Sequence, residues 1–213
     1  MQKQSRYVYE KQLWSEGYRR IMGLDEVGRG CLCGPVVAAG VILRRDASVN
    51  ERLRDSKSIK KMDREELALQ IKDEAEYYAV RKCSPVEIDQ HNILRASLLA
   101  MRRCIESEGA NPDYLLIDGN KAPSTLISHA CIVKGDDRSA SIAAASIIAK
   151  VYRDSLMYSL HEKYPVFGWD RNVGYPTREH YNGLKEFGYT IHHRKSFKLK
   201  TEKVYSLNSA SAS

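Results

Sequence analysis

The sequence predicts an α/β protein built on a mixed sheet, and three observations lead there. Short runs at residues 22–26, 34–43, 77–83, 114–117 and 130–133 have the length and composition of strands. Stretches of helical periodicity fall between them, giving the order strand–strand–(helix)–strand–helix–strand–strand–helix, which suits a mixed rather than a purely antiparallel sheet. Three of the runs end in carboxylates with glycine nearby: Asp25 with Glu26, then Asp118, then Asp136.

The elements can be justified in order. Residues 7–17 carry Tyr9, Leu13 and Trp14 at helical spacing and predict a short helix laid on the body. Residues 22–26 begin the first strand, and 34–43 (GPVVAAGVIL) read as a buried second strand. Residues 60–74 alternate charge with Leu67, Leu69 and Ile71, as a solvent-exposed helix would. After the strand at 77–83, Ser84-Pro85-Val86-Glu87 is a capping signature with proline at the first helical position. Residues 91–106 predict one amphipathic helix ended by Gly109, and Asn111-Pro112 is a breaker. The short strands at 114–117 and 130–133 follow, then an alanine-rich helix over 139–157. Gly174-Tyr175-Pro176-Thr177 reads as a turn, with Thr177 capping a last helix to about Phe187. His192 to Phe197 opens a basic tail.

At 213 residues and without a repeat or dividing linker, the chain predicts a single domain over residues 1–200. The part from about 155 to 200 is a small C-terminal helical extension, and 201–213 is expected to be a disordered tail. The apolar share of 43% with 29% charged residues fits a soluble protein. No run approaches the roughly eighteen apolar residues of a membrane span, and the polar first twenty residues lack a secretory core. Five cysteines at irregular spacings, with no CxxC, read as reduced thiols. These features predict a cytoplasmic protein with no membrane association. The net charge of +7 favours a polyanionic partner.

Carboxylates at the ends of neighbouring strands can converge on one edge of a sheet, where their repulsion makes sense with a cation between them. Oxygen-only ligands select Mg²⁺ or Mn²⁺ over zinc. An acidic, oxygen-lined site on a basic protein suggests phosphodiester chemistry assisted by two metals about 4 Å apart. Aspartate is also common at strand ends as a turn residue. Adjacent strand residues point to opposite faces, so Asp25 is the better direct ligand, with Glu26 contributing its main chain or acting from the strand end.

The stretch GLDEVGRGCLCGPVV (23–37) resembles the opening motif of bacterial ribonuclease HII. It departs from the family at Cys31, where proline is usual. The resemblance continues in the family's order through RDSK (54–57), EIDQHNILRASLLAM (87–101), YLLIDGN (114–120), VKGDDRSASIAAASIIAKVYRD (133–154), GYPT (174–177) and HHRKSF (192–197), covering roughly residues 7–200. It implies an RNase H-like fold and an endoribonuclease that needs two divalent ions, Mn²⁺ or Mg²⁺. The implied reactions are cleavage of RNA in RNA–DNA hybrids and cutting 5′ to ribonucleotides embedded in duplex DNA, leaving 3′-hydroxyl and 5′-phosphate ends.

Carried over by position, the catalytic and metal-binding set is Asp25, Glu26, Asp118 and Asp136. Asp136 is preferred to Asp137 because it follows Lys134-Gly135 as the family's aspartate does. Gly28, Arg29 and Gly30 correspond to the reader of the ribose 2′-hydroxyl, the group that separates RNA from DNA at a nucleotide. Tyr175 corresponds to the tyrosine that packs on the deoxyribose beside the ribonucleotide. Lys57, Ser139, Lys150, Arg194 and Lys195 are expected phosphate contacts, while His91, His192 and His193 are expected to be structural or phosphate-adjacent. The chain is expected to act as a monomer. Alternatives are a ribonuclease HIII-like hybrid nuclease, a non-catalytic nucleic-acid-binding protein, and a junction resolvase of the same fold.

Overall fold

The structure, a computed structural model, describes residues 7–45, 53 and 61–199. A short helix α1 (Val8–Ser15) leads into β1 (Ile21–Val27) and β2 (Val36–Leu43). Then come α2 (Lys61–Glu74), β3 (Ala75–Cys83), α3 (Pro85–His91), α4 (Ile93–Ile105), β4 (Tyr114–Asp118) and β5 (His129–Ile132). The chain closes with α5 (Ala140–Lys163), α6 (Trp169–Asn172) and α7 (Arg178–Phe187). The strands form one sheet in the order β3-β2-β1-β4-β5. β1 pairs antiparallel with β2 and parallel with β4; β2–β3 is antiparallel and β4–β5 parallel. The sheet is mixed, as the sequence predicts.

Strand alternation divides the core into two layers. Met22 and Leu24 of β1, with Leu115 and Ile117 of β4, turn toward α4 and its Ala96, Ala100 and Met101. Val37, Ala39 and Val41 of β2 turn the other way, toward α5 and the Leu67, Ala68 and Ile71 face of α2. Leu69 of α2 is exposed. The period is helical, so only the face one turn from Leu67 can reach the core. Gly23 lets α5 approach β1 closely: a Cβ there would lie 2.1 Å from the Ser141 carbonyl carbon.

One boundary differs from expectation. The helix predicted as continuous from 91 to 106 breaks at Asn92, whose φ of 66° leaves the helical region. Its side chain accepts from the Arg95 N–H and starts α4 afresh, a capping role for which asparagine competes well. The Ser84 cap is a complete capping box with Glu87, as predicted.

The C-terminal part is a second, smaller core rather than a solvated basic tail. Phe167 and Trp169 stack at 4.8 Å, and Leu32, Met157, Val173 and Leu184 surround them. His180 and His193 are both almost wholly buried here. The Thr190 N–H donates to His193 Nδ1 at 2.9 Å, the two imidazole Nε2 atoms are 3.1 Å apart, and Trp169 Nε1–H donates to His180 Nε2. Burial pushes the His193 imidazole down to about 4 and also lowers His180. The folded chain therefore binds fewer protons than the unfolded one between the ordinary histidine value of ~6.5 and about 4. Stability from His193 is complete above pH ~6.5 and is lost as pH falls through that window. Thermal melts followed by circular dichroism should show a drop between pH 7 and 4.5 that is shallower in His193→Gln. Equal pH slopes for the two proteins would count against this assignment.

Candidate active site

The parallel register of β1 on β4 brings the first carboxylates together. Leu24 pairs with Ile117, so the next residue of each strand, Asp25 and Asp118, stands at the same level. Both point to the α5 face, because Gly23, two residues before Asp25, packs on Ser141, and Leu116, two before Asp118, packs with Ile142. Asp25 is buried, at 8% exposure, and accepts from the Glu26 N–H at 2.7 Å and from Ser146 of α5. Asp136 lies in the 3-10 turn Gly135–Asp137 that follows β5. This turn folds back so that the Gly135 N–H donates to Asp118 Oδ1 at 2.6 Å, and Asp136 is close enough to repel the Asp118 charge. Lys134 takes a left-handed φ of 55° to make that reversal.

Burial raises the Asp25 carboxyl well above its ordinary range, with the Asp118 and Glu26 charges adding to it. Burial likewise raises Glu26 and Asp118. Glu26 leaves the opposite face of β1, as alternation requires, and its Oε1 takes a 2.9 Å hydrogen bond from Arg29. Among the described residues, no three His, Cys, Asp or Glu side chains are grouped closely enough to enclose an ion. Buried, mutually repelling, oxygen-only donors nevertheless fit a hard divalent cation, which would compensate both desolvation and repulsion.

The loop after β1 is held from within by two buried arginines. Arg153 of α5 donates to the carbonyls of Pro35 (3.1 Å), Val173 (2.8 Å) and Cys33 (3.0 Å). Arg194 donates to those of Gly34 (3.0 Å), Arg29 (3.0 Å) and Gly28 (2.7 Å). In a trans peptide the carbonyl of one residue and the N–H of the next point in opposite directions. With the Gly28 and Arg29 carbonyls drawn inward, the Arg29 and Gly30 amides are aimed outward. Gly28 has φ +92°, and a Cβ there would meet Arg153 Nε at 2.2 Å. Tyr175, 41% exposed, stands against the same loop: its ring is 3.7 Å from where a Gly30 Cβ would be, and its hydroxyl engages the Cys31 thiol.

Several expected phosphate contacts fall elsewhere. Ser139 is fully buried; it caps α5, and its hydroxyl donates to Glu10 Oε1 at 2.6 Å. The Glu10 carboxylate of α1 sits at the positive end of α5, where an anion is favoured. Arg194, 1% exposed, is the loop clamp just described, and burial pushes its guanidinium down to about 10. Lys150 is paired with Asp154 at 2.8 Å, and Lys195 is exposed. Lys57 lies outside the described residues. His192 packs against Tyr164, His193 is structural as expected, and His91 is exposed at the end of α3. Arg153 and Glu10 were not singled out from sequence. An arginine in an alanine-rich helix otherwise buried against the sheet is the signal that could have found the first.

The Ribonuclease HII family profile matches residues 22–200. A ribonuclease HII of Salinibacter ruber is 49% identical over 195 residues, covering 90% of this chain and 97% of that one. One from a Ruegeria species is 51% identical over 190 residues, covering 89% and 82%. Among solved structures, the ribonuclease H2 of Pyrococcus horikoshii superposes with a TM-score of 0.73 at 25% identity, covering 89% of this chain and 99% of that one. The ribonuclease HII of a complex with PCNA from Archaeoglobus fulgidus gives 0.69 at 27%, covering 85% and 96%. The chain belongs to the ribonuclease HII family, a family of metal-dependent nucleases.

If repulsion at this edge is as drawn, Asp25→Asn should raise the melting temperature in EDTA at pH 8. The expected gain is about 2–4 °C, the shift that about 1 kcal/mol produces at this chain length. Mg²⁺ or Mn²⁺ should raise it for the native chain and not for the variant. A variant that melts lower than the native protein in EDTA would refute this account.

Proposed function

We propose that this chain is an endonuclease that hydrolyses RNA in RNA–DNA hybrids and cuts 5′ of ribonucleotides embedded in duplex DNA. The observation that carries this reading is the pairing of a repelling carboxylate edge with a loop of outward amides. The loop begins directly after the strand that bears Asp25 and Glu26.

The proposed residue roles follow from placement. Asp25, Asp118 and Asp136 would hold Mg²⁺ or Mn²⁺, and Glu26 would join them from the strand end on leaving Arg29. Bound there, two divalent ions supply an activated water and charge neutralisation at the leaving oxygen. The chain's own residues select and align. Main-chain amides of Arg29 and Gly30 donate to a ribose 2′-hydroxyl, which main-chain groups can approach more closely than side chains could. Tyr175, beside that loop, offers its exposed ring to the adjacent deoxyribose. The net charge of +7 favours the polyanionic duplex. Products would be a 3′-hydroxyl and a 5′-phosphate on the ribonucleotide, made by a monomer of one catalytic domain.

An end-labelled DNA duplex carrying one ribonucleotide tests this directly, with Mg²⁺, Mn²⁺ or EDTA, beside an all-DNA control. A metal-dependent nick 5′ of the ribonucleotide is expected, with none in the control and a loss of at least ~100-fold in Asp118→Asn, consistent with removal of several kcal/mol of transition-state stabilisation. Cutting of long hybrids without nicking at a single ribonucleotide would favour the ribonuclease HIII-like alternative. Cutting of neither would leave a binding protein.

A further inference from the structure

Behind the Tyr175 turn runs a set of hydrogen bonds whose directions can be assigned in one consistent way. His193 Nδ1 accepts from the Thr190 N–H at 2.9 Å, so the neutral ring carries its proton on Nε2. That Nε2–H donates to His180 Nε2 at 3.1 Å. The same His180 nitrogen also accepts Trp169 Nε1–H at 3.2 Å, so His180 must carry its own proton on Nδ1. From Nδ1 it donates to the Tyr175 carbonyl at 2.9 Å. His180 and Trp169 are fully buried and His193 is 2% exposed, which makes an unmatched donor or acceptor here costly.

The Tyr175 carbonyl is thereby held on both sides, because it also accepts the Thr177 N–H at 2.9 Å. The other anchors of the turn lead to the loop that carries Gly28 to Gly30. The Gly174 N–H donates to Asn172 Oδ1, and the Gly174 carbonyl accepts the Leu32 N–H at 2.8 Å. Gly174 has φ +88°, and a Cβ there would lie 2.7 Å from the Cys33 carbonyl oxygen.

We propose that His180 is a positioning residue for the Tyr175 turn: its Nδ1–H, with the tautomer fixed by His193 and Trp169, sets the tyrosine ring beside the Gly28–Gly30 loop and so tunes selectivity for an RNA–DNA junction. This rests on the reading of Tyr175 as the contact to the deoxyribose next to a ribonucleotide. His180 touches no substrate; it acts through a main-chain carbonyl. Two amide substitutions separate its two nitrogens. In His180→Asn the side-chain amide can keep a donor near the Nδ1 position. In His180→Gln the amide oxygen can keep an acceptor near the Nε2 position, and the donor to Tyr175 is lost.

The test measures kcat/KM on duplex DNA with one ribonucleotide and on a uniform RNA–DNA hybrid, whose interior cuts present no junction. His180→Gln should lower the junction-to-hybrid ratio roughly five- to tenfold, the scale of one lost hydrogen bond, while His180→Asn keeps it within about twofold. Both variants losing activity equally on the two substrates, in step with melting temperature, would reduce His180 to a packing role and overturn the proposal. A changed ratio in Tyr175→Ala with none in His180→Gln also overturns it, and leaves the reading of Tyr175 standing. An unchanged ratio in Tyr175→Ala removes that reading and the proposal together. Should His180→Gln fail to fold, imidazole ¹⁵N spectra of the native protein decide. A His180 proton on Nδ1 and a His193 proton on Nε2 at pH 7 support the network, and a His180 proton on Nε2 overturns it.

Discussion

Arg153 and Arg194 are cations taken out of water and satisfied by main-chain carbonyls. Burying a guanidinium costs several kcal/mol unless its donors are matched. Here the matching carbonyls lie on residues 28–35 and at Val173, far in sequence from Arg194 and, for 28–35, from Arg153 as well. A carboxylate partner would have neutralised the charge locally and left the loop unrestrained. Carbonyl partners instead make the conformation of the loop the condition for burying the charge. The two clamps also explain why Gly28 must be glycine: its φ is positive and the Arg153 side chain occupies the space a Cβ would need.

The carboxylate edge is placed by a different device, strand register. Parallel pairing sets Asp25 and Asp118 side by side on the face toward α5, and the turn at Lys134 returns Asp136 to the same end. Burial is the main reason the Asp25 and Asp118 carboxyls are raised, and the charge of their acidic neighbours adds to it. What holds the arrangement against its own repulsion is the packing beneath it. Gly23 allows α5 to press onto β1, and Glu10 fixes the first turn of α5 through Ser139 and Ser141. The strain at the edge is therefore borne by the hydrophobic layers, a usual relation between a functional site and its scaffold.

The strands, the Ser84 and Thr177 caps and the mixed α/β class were legible because each depends on local chemistry: apolar runs, a proline at a helix start, a hydroxyl at a cap. The apolar runs beside the carboxylates are local too: Asp25 and Glu26 lie near the end of β1, Asp118 closes β4, and Asp136 stands in the turn after β5. What sequence could not supply was the destination of polar side chains. Ser139 and Arg194 looked like phosphate contacts because a hydroxyl and a cation on a basic protein usually face solvent. The first is claimed by Glu10, 129 residues away, and the second by carbonyls 160 to 166 residues away. The break at Asn92 was missed because the amphipathic period continues across it; only the backbone reversal shows that two helices share it.

The segment HHRKSF shows what a charge count conceals. Its net positive charge reads as a nucleic-acid-binding tail, yet His193 and Arg194 are among the least exposed polar residues of those described. Each is turned toward a different part of the same edge, His193 to His180 and the Tyr175 turn, Arg194 to the Gly28 and Arg29 carbonyls. Under the proposed function the segment would therefore serve polyanion recognition through geometry rather than through field. It couples the loop proposed to read a ribose to the turn proposed to read the neighbouring deoxyribose, because neither can move without breaking bonds made by adjacent residues of one short stretch. A chain that meets two sugars a fixed step apart, as proposed here, would gain from building both contacts on one rigid support, since a support left to fluctuate would lose in ordering what the contacts provide.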